Sequence, residues 1–482
     1  MSPGIAIPFI TQPGTLNTIN NLGEVLMKKI LAVLLVAVMA FSLIACASGP
    51  APSPSAPTGN NDTPAADTPS DEPAAEPPAG GDQATISFWQ YNYGDAEMFA
   101  AATDMLVKQF MEEYPNIKVE WQMAPWDGWL QNIQTAVATK SAPDVTISQG
   151  TISAQFHKQG QVLLLDPIVE AWRAEDNPIL NDFYPPGALE MYMYQGTHPA
   201  LPLLFGGRGF MYRTDVFEEL GLEEPDNWDE WLDVLRTIKA ETDFTPLAIP
   251  CHPQDGSHFC MQLMYSNNIG TIHADWSVNY DVPEFRDVLD IVQILWDEKL
   301  IPEGTASYTM ADALTLYYQG AAAMVFCMPF NLAEDNPEIF EKSGVLRTFA
   351  GPRGERRGWM GTDGMMCFNQ GNYHEEALTF MKWYYENNLP LFTEGGTPFM
   401  PMQYTQLQDP FFNQKKYADN IEKVVPYMQG PTWPLDMEFY QVIKVDGERL
   451  LGKYILEGTF EGMSQDDIIS NLTRAVKDVI ED

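Results

Sequence analysis

The chain has 482 residues, and its 66 Asp and Glu against 27 Lys and Arg give a formal net charge of −39. Such a charge argues against nucleic acid as a partner, because neutralising phosphates requires clustered Lys and Arg. It also disfavours docking of the folded part on an anionic membrane surface. About 400 residues follow the N-terminal region, which is more than one hydrophobic core usually supports, so two domains are expected.

The segment 27–46 contains a basic Lys-Lys pair, a long apolar run and a final cysteine. This order is typical of a secretory signal peptide, and the run is shorter than the roughly 20 residues of a membrane-spanning helix. Its terminal Leu-Ile-Ala-Cys resembles a bacterial lipobox, in which the cysteine thiol takes a diacylglycerol and the chain is cut just before it. The sequence therefore predicts an upstream extension (1–26), a lipoprotein signal peptide (27–45) and a lipidated Cys46.

Residues 46–83 are rich in Pro, Ala, Ser, Gly and acidic side chains, with no Lys, Arg or aromatic residue. Such a segment cannot bury enough apolar surface to offset the entropy lost on ordering. It is predicted to be a disordered tether. Together with the lipid, this tether would hold the folded part at the extracellular face of the cell membrane.

The region after the tether begins with alternating strands and helices. Strands are predicted at 85–89, 117–123 and 144–148, and helices at 98–114 and 129–137, from apolar side chains at two-residue and four-residue spacing. The first helix is expected to end before Pro115. Strand, helix, strand, helix, strand in this order indicates βαβ units and a largely parallel sheet.

The rest of the chain is predicted to be richer in helix. Asn227 is suited to cap a helix, with Glu230 at the capping-box position three residues further on. Apolar residues at helical spacing across 231–238 and 285–296 predict two buried helix faces. The last helix is expected to begin near Ser464.

Four cysteines remain beside the lipidation site: Cys251, Cys260, Cys327 and Cys367. The first two are close enough in sequence to form a disulfide, but their spacing leaves free thiols open as well. His252 and His258 lie between them, yet this pattern is not among the usual zinc spacings. We therefore predict no metal site and no cofactor.

Eight short motifs occur in one order along the chain after residue 85. They lie at 141–145 (Ser-Ala-Pro-Asp-Val), 156–166, 211–222, 227–231 (Asn-Trp-Asp-Glu-Trp), 318–324, 361–366, 374–380 and 464–468. In this order they resemble the family 1 extracellular solute-binding proteins of ABC importers, the sugar-binding group. Arg213, Met328 and Thr362 depart from the family pattern, which affects the expected ligand contacts more than the fold.

The resemblance implies an α/β, two-lobed periplasmic-binding-protein-like fold of type II, each lobe a mainly parallel sheet flanked by helices. Lobe one would comprise residues 84–204 and 359–395, and lobe two residues 205–358 and 396–482. A carbohydrate, expected to be an oligosaccharide, would bind in the cleft between the lobes, a common place for ligands. The protein, expected to be a monomer, would deliver it to the permease subunits of an ABC transporter.

A sugar offers hydroxyl groups to polar side chains and an apolar ring face to aromatic ones. Such side chains follow the predicted strands, whose carboxyl ends share one sheet edge, or lie on loops near the expected hinge. The predicted ligand-binding residues are Gln90, Tyr91, Asn92, Trp126, Asp127, Gln149, Arg208, His258, Phe330, Asp363 and Trp433. The alternatives left open are core packing for the aromatic residues, an ion pair for Arg208 and a turn for Asp363.

Two other functions remain as alternatives. A surface-tethered glycoside hydrolase would need two carboxylates about 5–10 Å apart, one with a raised pKa, which an acidic composition leaves open. The sequence contains no serine-hydrolase, zinc-protease or phosphate-loop motif, so we expect a binding protein rather than an enzyme. A ligand-sensing lipoprotein coupled to a signalling receptor would share the fold, and the sequence does not distinguish it.

Overall fold

The computed structural model describes residues 83–481 except 127, 150–151, 186, 330–335 and 436–439. The predicted extension, signal peptide, tether and lipidated Cys46 lie outside the described residues, and so do Asp127 and Phe330. Within the described part, no helix combines the length and the apolar character needed to cross a membrane.

The strands in chain order are β1 (Ala84–Tyr91), β2 (Ile117–Ala124), β3 (Val145–Ser148), β4 (Leu201–Gly207), β5 (Gly209–Arg213), β6 (Thr245–Ala248), β7 (Ala322–Cys327), β8 (Ser343–Val345), β9 (Gly358–Cys367), β10 (Met400–Pro401) and β11 (Met428–Gln429). They form two sheets. The first has the order β10-β4-β9-β3-β1-β2, with β11 beside β9, and the second has the order β6-β7-β5-β8.

The α-helices are α1 (Ala96–Glu113), α2 (Trp129–Ala138), α3 (Ser153–Lys158), α4 (Asp166–Ala174), α5 (Thr214–Leu220), α6 (Trp228–Glu241), α7 (Pro253–Ser266), α8 (Pro283–Asp297), α9 (Met310–Tyr318), α10 (Pro337–Glu341), α11 (His374–Asn387), α12 (Leu389–Thr393), α13 (Tyr404–Leu407), α14 (Lys415–Lys423), α15 (Tyr440–Gly447), α16 (Gly458–Phe460) and α17 (Gln465–Glu481). Single 3₁₀ turns lie at Pro178–Asn181, Glu190–Tyr192, Thr305–Ser307, Pro410–Asn413 and Val425–Tyr427, and a π turn lies at Gly452–Glu457.

The βαβαβ start of the folded region is confirmed, because β1 pairs in parallel with both β2 and β3. Both sheets are mixed, however, rather than mainly parallel. Strand β9 runs antiparallel to β3 and β4, and β5 runs antiparallel to β7 and β8. The chain passes from β4 to β5, and from β8 to β9, without an intervening helix. Parallel neighbours in one sheet require a long, usually helical, crossover between them.

The helices form for the reasons that the sequence indicated. In α6, Asn227 Oδ1 accepts a hydrogen bond from the Glu230 backbone N–H at 3.0 Å, which confirms the predicted cap. In α1, the buried face includes Phe99, Leu106 and Phe110. Met98 was expected on that face but is 48% exposed, because the face that packs on the sheet is set by Phe99.

The described residues form two large hydrophobic clusters, and the first contains residues of both sheets. The first includes Phe88, Ile147 and Trp172, and the second includes Trp231 and Phe326. All four described cysteines are buried free thiols, so Cys251 and Cys260 are not joined as a disulfide. Within the described part, no group of three or more His, Cys, Asp or Glu side chains is placed to hold a metal ion.

The chain passes between the sheets at Arg208, the single residue between β4 and β5. It returns to the first sheet at β9, and β10 pairs antiparallel with β4 in that sheet. Met402, Phe412 and Tyr417 are buried in the first cluster as well. The lobe boundaries stay a prediction, but the pairing of β10 with β4 favours extending lobe one from about residue 395 to Pro401.

Candidate functional site

A cavity of about 390 Å³ is lined by residues of β4 and β9 in the first sheet, of loops, and of helices α7, α9 and α15. This volume falls within the range of small-molecule sites, about 300–1,000 Å³. The first wall of the cavity comprises Asn92, Tyr93, Trp126, Gln149 and Asp363, which belong to the first sheet and its loops. The second wall comprises Arg208, Asp255, His258, Trp359 and Asp446.

The first wall is built at the carboxyl ends of three strands. Asn92, Trp126 and Gln149 follow β1, β2 and β3, and parallel strands bring such positions to one sheet edge. The Trp126 indole Nε1 donates a hydrogen bond to the Asn92 carbonyl oxygen at 2.7 Å. Its ring lies 5.2 Å from that of Tyr93, edge to face. An aromatic surface is therefore held in place beside polar side chains.

Asp363 lies within β9 and is only 6% exposed. Neither its Oδ1 nor the Tyr93 hydroxyl has a hydrogen-bond partner among the described residues. Burial raises the pKa of this carboxyl to about 7, the nearby Tyr93 hydroxyl opposes the rise, and the charge of Asp446 adds to it. Near neutral pH, Asp363 therefore exchanges readily between a neutral donor and a charged acceptor of hydrogen bonds.

On the second wall, Arg208 forms an ion pair with Asp255, with 2.9 Å between Nη2 and Oδ1. Burial alone would raise the pKa of Asp255, but Arg208 and His258 hold it below its ordinary value. The guanidinium carbon also lies 5.8 Å from the centre of the Trp359 ring. Arg208 is thus fixed at the point where the chain passes between the sheets.

His258 extends this arrangement from α7. Its ring stacks on Trp359 at 4.0 Å with an angle of 15° between the planes. Its Nε2 lies 3.4 Å from Asp446 Oδ2 on α15, and both residues are buried. The second wall therefore combines a stacked aromatic pair with two pairs of complementary groups.

Nine buried polar atoms of cavity-lining residues lack a hydrogen-bond partner among the described residues. They are Tyr93 Oη, Gln149 Oε1, Arg208 Nε and Nη1, His258 Nδ1, Trp359 Nε1, Thr362 Oγ1, Asp363 Oδ1 and Asp446 Oδ1. Folded proteins pair the great majority of such groups. Their concentration around one cavity suits a ligand that is itself rich in donors and acceptors.

Six of the predicted ligand-binding residues line this cavity: Asn92, Trp126, Gln149, Arg208, His258 and Asp363. Asp127 and Phe330 lie outside the described residues. Gln90 is buried and donates from Nε2 to the Tyr384 hydroxyl at 3.1 Å. Tyr91 packs 4.6 Å from Trp126 without lining the cavity. Both residues lie at the end of β1, although they were expected in the loop that follows this strand.

Trp433 does not line the cavity either. Its ring lies 5.1 Å from that of Tyr265, and the Arg357 guanidinium lies 5.0 Å from its centre. The alternative of core packing fits it better. The lining residues that sequence reasoning missed include Tyr93, Asp255, Trp359, Thr362, Phe399 and Asp446.

One of the missed residues, Asp255, could have been indicated by its position in the sequence. Asp255 lies in the first turn of the same helix as His258, where acidic side chains are favoured. No motif marks Asp446, which meets His258 only because α7 and α15 pack together.

Comparison with known proteins gives one family. Residues 95–388 match the model of the family described as bacterial extracellular solute-binding protein. A protein of Brucella abortus (strain 2308), named only as a binding protein, is 24% identical over 301 residues, which are 61% of this chain and 71% of that protein.

Two solved structures share the fold. A sugar transporter from Arthrobacter chlorophenolicus A6 with bound laminaribiose has a TM-score of 0.75 at 19% identity, covering 82% of this chain and 99% of its own. The maltose-bound MalE3 of T. maritima has a TM-score of 0.69 at 19% identity, covering 82% of this chain and all (100%) of its own. These likenesses confirm the predicted two-lobed, periplasmic-binding-protein-like α/β fold.

Proposed function

This chain belongs to the family of bacterial extracellular solute-binding proteins, and we propose that it captures a carbohydrate in the cavity and delivers it to the permease of an ABC transporter. The ligand would be held between the first and second walls of the cavity. The solved structures described above contain laminaribiose and maltose, so carbohydrate is the first class of ligand to test.

The observation that carries this proposal is the set of nine unpartnered polar atoms around the cavity. Both donors and acceptors are present, for example Trp359 Nε1 and Gln149 Oε1. A sugar hydroxyl donates and accepts at once, and so satisfies either kind. A site built of such groups rejects analogues that leave them unpaired, which gives the selectivity a solute-binding protein needs.

The aromatic residues of the cavity add the second requirement. Trp126, Tyr93 and Phe399 form a connected group, with 5.1 Å between the Tyr93 and Phe399 ring centres. Aromatic planes bury the apolar face of a sugar ring while the polar atoms bind its edge. Further stacking positions would suit an oligosaccharide, and Phe330 is proposed as one of them.

The direct test is a thermal-shift screen against a carbohydrate panel, followed by titration calorimetry of the hits. A ligand at 100 times its dissociation constant stabilises the folded state by about 2.7 kcal/mol. We expect at least one mono- or oligosaccharide to raise the melting temperature. If no carbohydrate does so, and a solute of another class does, the carbohydrate proposal fails.

The anchoring of the protein is part of the proposal. Cys46, followed by the acidic tether, would carry the lipid that holds the chain at the extracellular face of the cell membrane. The Cys46→Ser variant should then appear in the medium or remain unprocessed. Unchanged membrane association together with unchanged mass would rule out lipidation at this position.

One observation favours testing for catalysis as well. Asp363, with its pKa raised by burial to about 7, shares the cavity with the carboxyl groups of Asp255 and Asp446. A glycoside hydrolase also uses carboxyl groups of differing pKa. We propose binding without turnover, since Asp255 is committed to Arg208. Incubation with a bound oligosaccharide should return it intact, and shorter products would establish an enzyme instead.

A further inference from the structure

The charged groups of the cavity do not balance. Among the described residues, its lining contains three carboxyl groups, those of Asp255, Asp363 and Asp446, and no Glu. Arg208 is the one Lys or Arg side chain among the described residues of the lining, and His258 is the one histidine. The cavity therefore has more groups that can carry negative charge than groups that can neutralise it.

The two basic side chains of the lining already have partners. Arg208 lies 2.9 Å from Asp255, and His258 lies 3.3 Å from Asp446. Asp363 forms no ion pair among the described residues, and its Oδ1 is buried without a hydrogen-bond partner. Its titratable and charged neighbours are the neutral Tyr93 hydroxyl and the acidic Asp446, with Arg208, Asp255 and His258 also lining the cavity.

Buried carboxylates in folded proteins are normally matched by a cation or by several hydrogen bonds. We propose that the ligand supplies the cation: the carbohydrate is an amino sugar whose protonated amine pairs with Asp363. This inference rests on the proposed function, and it names the class of sugar that the cavity selects.

An ammonium group fits this position better than a hydroxyl. A hydroxyl hydrogen bond leaves the charge of an ionised Asp363 uncompensated, whereas an ammonium group both donates and neutralises. The Trp126 and Tyr93 rings belong to the same wall, and ring faces also attract cations. When the amine binds below about pH 7, Asp363 should lose its proton to the solvent and form the ion pair.

The test compares sugars that differ only in one group. Glucosamine against glucose and galactosamine against galactose each replace the hydroxyl at the second carbon by an amine. Titration calorimetry at pH 6 should show at least tenfold tighter binding for the amine in one or more pairs. Repeating the titration in two buffers of different ionisation enthalpy should show release of close to one proton for each amine bound.

The matched variant is Asp363→Asn, which keeps the shape of the side chain and removes its charge. It should reduce the preference for the amine to less than twofold and abolish proton release, while Asp478→Asn, an exposed carboxyl of α17, should change neither. Equal affinities within every pair, or a preference that survives in Asp363→Asn, would overturn the inference.

The amino-sugar inference and the proposed function can fail separately. If no amine in the panel binds while another carbohydrate does, the amino-sugar inference falls and the proposed function stands. If no carbohydrate of any kind binds, the proposed function fails first. The comparison of paired sugars uses the wild-type protein, so it decides the question even if a variant folds poorly.

Discussion

The two walls of the cavity differ in how their charged groups are paired before a ligand arrives. On the second wall, Arg208 is matched by Asp255 and His258 by Asp446. On the first wall, Asp363 is buried without an ion pair among the described residues. A wall whose charges are already matched contributes chiefly to the stability of the fold. A wall with an unmatched charge contributes most to the affinity for a ligand. Substitutions in the two walls should therefore affect different measurements, stability for the second wall and affinity for the first.

The largest effect should come from breaking the ion pair of the second wall. Asp255→Ala leaves the Arg208 guanidinium, whose side chain is 12% exposed, without its carboxylate. Removing one partner of a buried pair typically costs about 3–5 kcal/mol, and we expect a loss of this size in urea unfolding. The control is Glu298→Ala, which breaks the exposed pair with Arg236 and should cost less than about 1 kcal/mol. Equal losses in the two variants would mean that the second wall does not stabilise the fold.

Unlike the Asp255 ion pair, Asp363 should lower the stability of the folded protein, and it should do so only at higher pH. The folded protein holds the carboxyl proton up to a pKa of about 7, whereas the ordinary value is 3.8. The free energy of unfolding should therefore fall by at most about 4 kcal/mol as the pH rises from about 4 to about 7. Above about pH 7 this contribution should stay constant. Asp363→Asn removes this loss, so it should be more stable than wild type at pH 8 and similar at pH 4. Chemical unfolding at both pH values measures the difference, and a constant difference would contradict it.

The same variant should weaken ligand binding. A hydrogen bond to a charged group contributes roughly 1.5–3 kcal/mol, so Asp363→Asn should raise the dissociation constant of the ligand tenfold or more. Titration calorimetry with the carbohydrate found in the screen measures this change. Higher stability combined with lower affinity would distinguish the first wall from the second. Unchanged affinity would mean that Asp363 does not contact the ligand.

Phe330 offers a smaller test, because it lies outside the described residues but two positions after Met328, which lines the cavity. Stacking on a sugar ring is worth about 0.5–1.5 kcal/mol beyond the area it buries. Phe330→Ala should therefore weaken binding about tenfold, with little change in the melting temperature of the free protein. A loss of several kcal/mol in stability with intact affinity would place Phe330 in the core.

Trp433 should give the smallest effect on affinity. It packs against Tyr265 and Arg357 and does not line the cavity. Trp433→Ala should alter the dissociation constant by less than about twofold, although it removes packing that contributes to stability. A tenfold loss of affinity at constant stability would restore the ligand contact predicted from the sequence.

The sequence predicted the first wall better than the second, for a topological reason. Asn92, Trp126 and Gln149 follow strands that lie parallel in one sheet, so local strand patterns were enough to bring them together. Gln90 and Tyr91 were expected after β1, but this strand continues two residues further than expected and includes them. Strand ends are the least certain part of such a prediction, and one residue reverses the face to which a side chain points.

The second wall depends on contacts that no local pattern contains. Trp359 meets His258 because β9 passes beside α7, and Asp446 meets it from α15, almost two hundred positions further along the chain. The motifs indicated the fold, but the pairing of distant side chains is fixed only when the helices pack. The sequence indicated Arg208, His258 and Asp363 as candidates without indicating their partners.

The buried thiols have a practical consequence for measuring ligand capture. Cys251, Cys260, Cys327 and Cys367 are all enclosed, and burial raises the pKa of each. Thiolates are the species that alkylating dyes attack, so these four should resist labelling in the native protein. A cysteine introduced at an exposed position, such as Tyr404, would then react selectively. The fold is thereby suited to carry one fluorescent reporter, with these four cysteines left in place.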